Sequence, residues 1–214
     1  MTGNDEQSGT DGYQYHSADS THPTAYLFDK VLPLLERISS EEDRRVFELG
    51  CGNGVLAAKL AALGFDVTAV DTSASGVAFA RAAHPDVRFE QASAYDPLGQ
   101  TFGTFPIVVS LEVVEHLYAP RLFARTVYEL LAPGGVAILS TPYHGYLKNL
   151  ALAVTGKLDD HFGPLWDHGH IKFWSVKTLS ALLKEEGFKN LEFHRAGRIP
   201  ALAKSMIAVA HKPL

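Results

Sequence analysis

The chain has 214 residues, 46% hydrophobic and 20% charged, enough apolar material for one globular domain with a substantial core. A formal charge of −5 with no stripe of Lys and Arg argues against a nucleic-acid partner, and no apolar run reaches the roughly 18–20 residues of a membrane span. The single cysteine, Cys51, excludes an internal disulfide, and the acidic, polar start lacks a secretion pattern, so a cytoplasmic location is expected.

Residues 1–22 are rich in Gly, Ser, Thr, Asp and Gln and cannot bury a core of their own. Within them Tyr13-Gln14-Tyr15-His16 is unusual for a solvated tail; it reads either as a frayed terminus or as a lid over a ligand. From Pro23 the spacing of Leu27, Phe28, Val31, Leu34, Leu35 and Ile38 predicts a helix, kinked or restarted at Pro33. A buried strand is expected at 45–49, a helix at about 53–63 stopped by Gly64, a strand at 67–70 and a helix from about 73 to 83. Strands follow at 87–90 and 107–111, then a helix opened by Pro120. Pro133-Gly134-Gly135 turns into a strand at 136–141. A helix at 175–186, with Ser175 as N-cap and Gly187 past its end, precedes strands near 190–195 and 205–211. This alternation predicts one α/β domain over 23–214, with a largely parallel sheet and right-handed crossovers.

The turn after the first strand carries the ligand-binding expectation. Gly50 and Gly52 lack a Cβ, so the backbone can turn sharply and a ligand can lie directly on it. Asp71 ends the second strand, where nucleotide-type domains place a carboxylate for ribose hydroxyls. The spacing is G-x-G-x-G and not the dinucleotide G-x-G-x-x-G. Glu48 would repel a pyrophosphate but suits a ligand carrying an ammonium and a sulfonium. Glu48-Leu49-Gly50-Cys51-Gly52-Asn53-Gly54 resembles the first motif of the class I S-adenosylmethionine-dependent methyltransferases, and the resemblance extends over roughly residues 45–211. It implies a Rossmann-like, doubly wound fold: a mostly parallel seven-stranded sheet, the last strand antiparallel, with helices on both faces. It also implies S-adenosylmethionine contacts from Glu48, Gly50, Cys51 and Gly52, from Asp71, Thr72 and Ser73, from Ser93 and Ala94, and from Ser110 and Leu111. Many relatives carry an acid where this chain has Ser93.

Glu112-Val113-Val114-Glu115-His116 follows the fourth strand. On a helical turn, positions i, i+3 and i+4 share a face, so Glu112, Glu115 and His116 are expected to converge beside the cofactor. Neighbouring carboxylates repel unless a proton or cation lies between them. The E-x-x-E-H pattern resembles the ubiquinone-biosynthesis O-methyltransferases and the small-RNA 3′-end 2′-O-methyltransferases. That resemblance implies a divalent cation, expected to be Mg²⁺, on Glu112, Glu115 and His116, with His144 nominated as a further ligand. Such a cation lowers the pKa of an acceptor hydroxyl and aims its oxygen at the sulfonium methyl. Two readings without metal stay open: His116 as a general base oriented by Glu115, or a structural acidic turn.

Residues 143–173 read as one long irregular insertion that can cover the acceptor. Tyr15, His144, Tyr146, Trp166 and His168 are the expected acceptor-pocket residues, and a second metal site on His168 and His170 is open. Size and motif layout look similar to actinobacterial enzymes that methylate mannosides. The expected function is therefore metal-assisted O-methylation of a small hydroxylated molecule, preferably a sugar or oligosaccharide. Alternatives are a phenol or catechol O-methyltransferase, a metal-independent N- or C-methyltransferase, and a non-catalytic cofactor-binding or RNA-associated protein. A homodimer is left open.

Overall fold

Alternate residues of a strand point to opposite faces, and in this chain both sets are apolar, so the sheet must be covered twice. A computed structural model, describing residue 15 and residues 22–166, 169–197 and 199–214, has that arrangement. The first half comprises α1 (His22–Ile38), β1 (Arg45–Leu49), α2 (Val55–Ala62), β2 (Asp66–Asp71), α3 (Ala74–Ala83) and β3 (Arg88–Gln91). Next come α4 (Leu98–Phe102), β4 (Phe105–Leu111), a 3₁₀ turn (Val114–His116), α5 (Pro120–Leu130) and β5 (Leu131–Pro142). The chain continues with α6 (Tyr146–Val154), α7 (Leu158–Phe162), α8 (Val176–Glu186), β6 (Lys189–Ala196) and β7 (Ser205–His211). On one face Phe47, Leu49 and Val108 pack against α4, α5 and α8 through Leu98, Phe123 and Leu183. On the other, Val46, Ile107 and Val109 pack against α1, α2 and α3 through Leu27, Leu60 and Val77.

The strands lie in the order β3-β2-β1-β4-β5-β7-β6, seven in one sheet. The first five pair in parallel. β7 runs antiparallel between β5 and β6, as Ile138 opposite Val209 and Phe193 opposite Ala208 illustrate. The expected doubly wound, mostly parallel seven-stranded sheet is therefore present. The order in which strands are added reverses between β1 and β4, and at such a switch point the loops beyond the carboxyl ends diverge and leave a crevice. No helix among the described residues is long and apolar enough to cross a membrane.

Two local expectations need correction, and one helix went unread. Residues 143–173 are not one irregular stretch, because α6 and α7 lie inside it. The pattern of α6 hid it: Tyr146, Leu147, Leu150 and Val154 are exposed and the buried residue is Lys148, the inverse of a core-facing stripe. The five-residue α4 is too short to show a period. Pro133-Gly134-Gly135 is a bulge within β5, where pairing jumps from Phe105–Leu131 to Ile107–Val136 and Gly134 has φ of +77°. Residues 1–14 and 16–21, most of the expected lid, lie outside the described residues.

Candidate active site

A cavity of about 830 Å³ opens at the carboxyl ends of β1 and β4, floored by the turn after β1. Gly50 and Gly52 have φ of +86° and +55°, a region that a Cβ makes costly. A Cβ at Gly50 would collide with Val113, and one at Gly52 with the Tyr15 hydroxyl. The turn is tied to β2: Gly50 and Cys51 N–H both donate to the Val70 carbonyl, at 2.8 and 3.0 Å. The Asp71 carboxylate accepts from the N–H groups of Gly52 and Ser73, 2.8 Å each. Asp71 lines the cavity, and its carboxylate, which can accept about four hydrogen bonds, keeps acceptor capacity for a ligand.

Glu48 alternates with Phe47 and Leu49, which turns it away from their core cluster and to the cavity wall. It is buried, and its Oε2 has no hydrogen-bond partner. Burial, reinforced by Asp71, pushes its carboxyl up to about 8. A buried carboxylate with one orphaned oxygen on a cavity wall fits a ligand that brings an ammonium. With the bare glycine turn and Asp71, this is a match to S-adenosylmethionine.

Of the other expected cofactor residues, Cys51 and Leu111 line the cavity. Burial, then Glu48 and Asp71, push the Cys51 thiol well above its ordinary range, so it is no nucleophile. Thr72, Ser73, Ser93, Ala94 and Ser110 are not among the residues lining it. Ser73 caps α3 by accepting from Gly76 N–H at 3.0 Å, and the Thr72 carbonyl accepts from Gln91. Ser93 Oγ accepts from Tyr95 N–H, Ser110 Oγ donates to the Leu49 carbonyl at 2.7 Å, and Ala94 belongs to the core. These residues shape the loops around the ligand space, their short polar groups satisfied by nearby protein atoms.

The chemical cluster departs from the helical-turn expectation. Glu112 has φ of +56° and lies before the 3₁₀ turn. Its carboxylate accepts from Ser140 Oγ at 2.7 Å and Ser205 Oγ at 3.2 Å. Glu115 is fully buried, with neither carboxylate oxygen hydrogen-bonded, and its backbone carbonyl accepts from Ile171 and Lys172, 2.9 Å each. That backbone clamp draws residue 170 to the site. The potential ligand atoms of Glu115, His116 and His170 all lie within 4.8 Å of one another. His116 Nδ1 is 3.3 Å from the Gly169 carbonyl, which can only accept, leaving Nε2 as the ring's basic nitrogen.

Burial and Glu112 push the Glu115 carboxyl well above the carboxylate range. Burial, then His116 and His161, draw His170 down to about 4, so it is neutral with a lone pair. Two orphaned carboxylate oxygens beside two imidazoles fit a divalent cation by donor type and by uncompensated burial.

His144, expected as a ligand, is not in this group. Its ring lies 5.1 Å from Phe173 and 5.4 Å from His161, in a second cavity behind the cluster. Trp166 lines the main cavity, 6.0 Å from the His116 ring and 5.2 Å from His170. Tyr15 is fixed by its N–H to Ser75 Oγ and sits over the glycine turn. Tyr146 is 79% exposed and lines neither cavity. His168 lies outside the described residues. Sequence reasoning raised His170 only as a partner of His168; nothing in linear spacing pairs it with Glu115.

The methyltransferase domain family matches residues 22–192. A ubiquinone biosynthesis O-methyltransferase of Caulobacter vibrioides is 38% identical over 200 residues, covering 89% of this chain and 73% of that protein. Another, from a Caulobacter species, is 42% identical over 120 residues, covering 54% of this chain and 47% of its own length. The chain thus spans from about half to about three quarters of these relatives. In fold it is similar to the methyltransferase domain of bacterial CtHen1, with a TM-score of 0.66 and 20% identity over 89% of this chain and 100% of that one. With its family match over residues 22–192 and its likeness to a Caulobacter relative over 89% of its own length and 73% of the relative's, the chain belongs to the S-adenosylmethionine-dependent methyltransferases of the ubiquinone-biosynthesis O-methyltransferase type.

Proposed function

We propose that this protein transfers the methyl group of S-adenosylmethionine to a phenolic hydroxyl of a small aromatic acceptor, assisted by a divalent cation at Glu115, His116 and His170. The observation that carries this reading is the pair of orphaned Glu115 oxygens beside two imidazoles, on the margin of a cavity whose floor suits the donor. The aromatic choice rests on the cavity's outer wall of Phe162, Pro164, Trp166 and Ile171, which suits a planar ring better than a sugar. The relatives' name, ubiquinone biosynthesis O-methyltransferase, supports oxygen as the methyl acceptor. The sugar preferred from the sequence would need more polar groups on that wall.

The residues divide the work. Glu48 holds the donor's ammonium and Asp71 its ribose, so the glycine turn between them fixes where the sulfonium lies. The Gly169 carbonyl orients His116, and the Ile171 and Lys172 amides fix the backbone of Glu115. Phe162 and Trp166 exclude water and confine the acceptor, which brings oxygen and methyl into line. Glu112, held by Ser140 and Ser205 and with its carboxyl raised to about 7 mainly by burial, is poised to take the hydroxyl proton near neutral pH. A divalent cation, when bound, supplies the positive charge that lowers the hydroxyl's pKa.

The test is a methyl-transfer screen over catechols, simple sugars and amines, with Mg²⁺ and with chelator. The expected result is O-methylation of catechols that stops in chelator and returns with Mg²⁺. Methylation confined to sugars or amines, or turnover undiminished in chelator, would overturn it.

A further inference from the structure

The sheet face that α1 covers turns polar at the end of β5. Ile138 and Ile207 belong to the core under α1, and alternation puts Ser140 and Ser205 on the same face. Ser140 pairs with Ile207, so the two hydroxyls lie diagonally across the β5–β7 pair. Glu112 reaches between them: Oε1 accepts from Ser140 Oγ at 2.7 Å and Oε2 from Ser205 Oγ at 3.2 Å. A third hydroxyl stands behind these, for the Tyr26 oxygen of α1 lies 2.8 Å from Ser205 Oγ. Ser205 spends its hydrogen on Glu112, so its oxygen accepts and Tyr26 is the donor. Donation runs one way, from Tyr26 through Ser205 to the carboxylate. The Lys204 ammonium, 5.3 Å from the centre of the Tyr26 ring, polarises the phenol and strengthens its O–H as a donor.

Resting on the reading that Glu112 takes the hydroxyl proton, we propose that Tyr26 is a positioning residue for that step: through Ser205 it holds the Glu112 carboxylate at the cavity in its proton-accepting form. Glu112 needs such holding, since at φ of +56° it stands in a backbone region that favours glycine. It lines the donor cavity, so a lone pair that the serines leave open can face the acceptor hydroxyl. A hydrogen bond to an ionised carboxylate is stronger than a neutral one, and a hydroxyl that itself receives a hydrogen bond donates better. Burial first, then Glu112, push the Tyr26 hydroxyl up to about 12, so it stays a donor at working pH. Other groups act on the same carboxyl: Lys148 of α6 favours its ionised form, Glu115 of the 3₁₀ turn opposes it, and His116 and His170 line the same cavity. All of them remain when only the Tyr26 oxygen is removed. In the transfer, a lone pair of the acceptor oxygen forms the bond to the methyl carbon, the S–C pair stays on sulfur, and the hydroxyl proton passes to Glu112.

The test is Tyr26→Phe, which removes the hydroxyl and keeps the ring, with Ser205→Ala and the double variant beside it in the full chain. For each, kcat and KM for catechol are measured across the neutral pH range, together with Tm. Ionisation of Glu112 is followed by the infrared band of its carboxylic acid, assigned by its loss in Glu112→Gln. Tyr26→Phe should lower kcat by about three- to tenfold, the scale of one hydrogen bond, while KM and S-adenosylhomocysteine affinity hold. The acid limb of kcat and the infrared titration should both move to higher pH, because the ionised carboxyl has lost a supporting donor. In the Ser205→Ala background the same change should do nothing further, since the link is already cut. A merely structural role would lower Tm and leave both titrations in place. That result, or a Tyr26→Phe effect undiminished in Ser205→Ala, overturns the proposal. An infrared titration that moves while kcat holds keeps the positioning of Glu112 and sinks its reading as proton acceptor. The infrared arm needs no acceptor and decides the point even if catechol is not a substrate.

Discussion

Gly50 and Glu48 lie two positions apart and do opposite things, one by lacking a side chain and the other by burying a charged one. Gly50→Ala would put a Cβ into Val113 at a φ of +86°, costing about 1–2 kcal/mol for the left-handed backbone alone. It should lower the denaturant midpoint and also weaken S-adenosylhomocysteine binding, measured by calorimetry. Glu48 gives a pH signature. Its carboxyl has an ordinary value of 4.5 and lies at about 8 in the fold, so the folded state binds the proton more tightly. The associated stability is fully present below 4.5 and is lost as pH rises toward 8. Denaturant unfolding of the cofactor-free protein from pH 5 to 8 should show this decline, and Glu48→Gln should make it shallower, the raised carboxyls of Glu112 and Glu115 supplying the remainder. Glu115→Gln should reduce kcat/KM by about 10²-fold or more, the scale of a lost proton-transfer or electrostatic group, while cofactor affinity holds. The glycine turn, Glu48 and Asp71 were readable in the sequence because a positive φ and a buried acid restrict residue type. The Glu112 orientation was not, because it depends on Ser140 and Ser205 from strands far along the chain.

Elements with a buried stripe or a strong cap were legible, and α6 and the 3₁₀ turn were not. Ser175 and Gly187 bound α8 as expected: Ser175 accepts from Thr178 N–H, and Gly187 adopts φ of +107°. Ser175→Ala should cost about 1 kcal/mol, and about 2–4 °C in Tm, without changing kcat, since α8 packs on α5 and lines neither cavity. A loss of activity larger than the loss of folded protein would contradict that separation. By contrast α6 exposes its apolar residues and buries Lys148, a pattern that gives no helical signal toward a core. The 3₁₀ turn is three residues long, too short for periodicity, yet it decides which of the acids reaches His170.

The whole molecule is a sheet that divides two jobs across one switch point. In the proposed reaction β1 and β2 supply the donor's floor, while β4, the 3₁₀ turn and the segment before α8 supply the chemistry. The largely parallel sheet follows from the alternation of elements, and its seven strands with the last antiparallel from the family resemblance, but the strand order is a matter of long-range pairing, and the joining of residues 115 and 170 is set by backbone hydrogen bonds across the insertion, which no local pattern encodes. That joint is the centre of the account. Crystals of the protein with S-adenosylhomocysteine and Mn²⁺, measured at a wavelength where manganese scatters anomalously, test it directly. The predicted result is a manganese peak ligated by Glu115, His116 and His170, facing a ligand sulfur held over Gly50 and Gly52. A map with the cofactor bound but no manganese at those three side chains would contradict it.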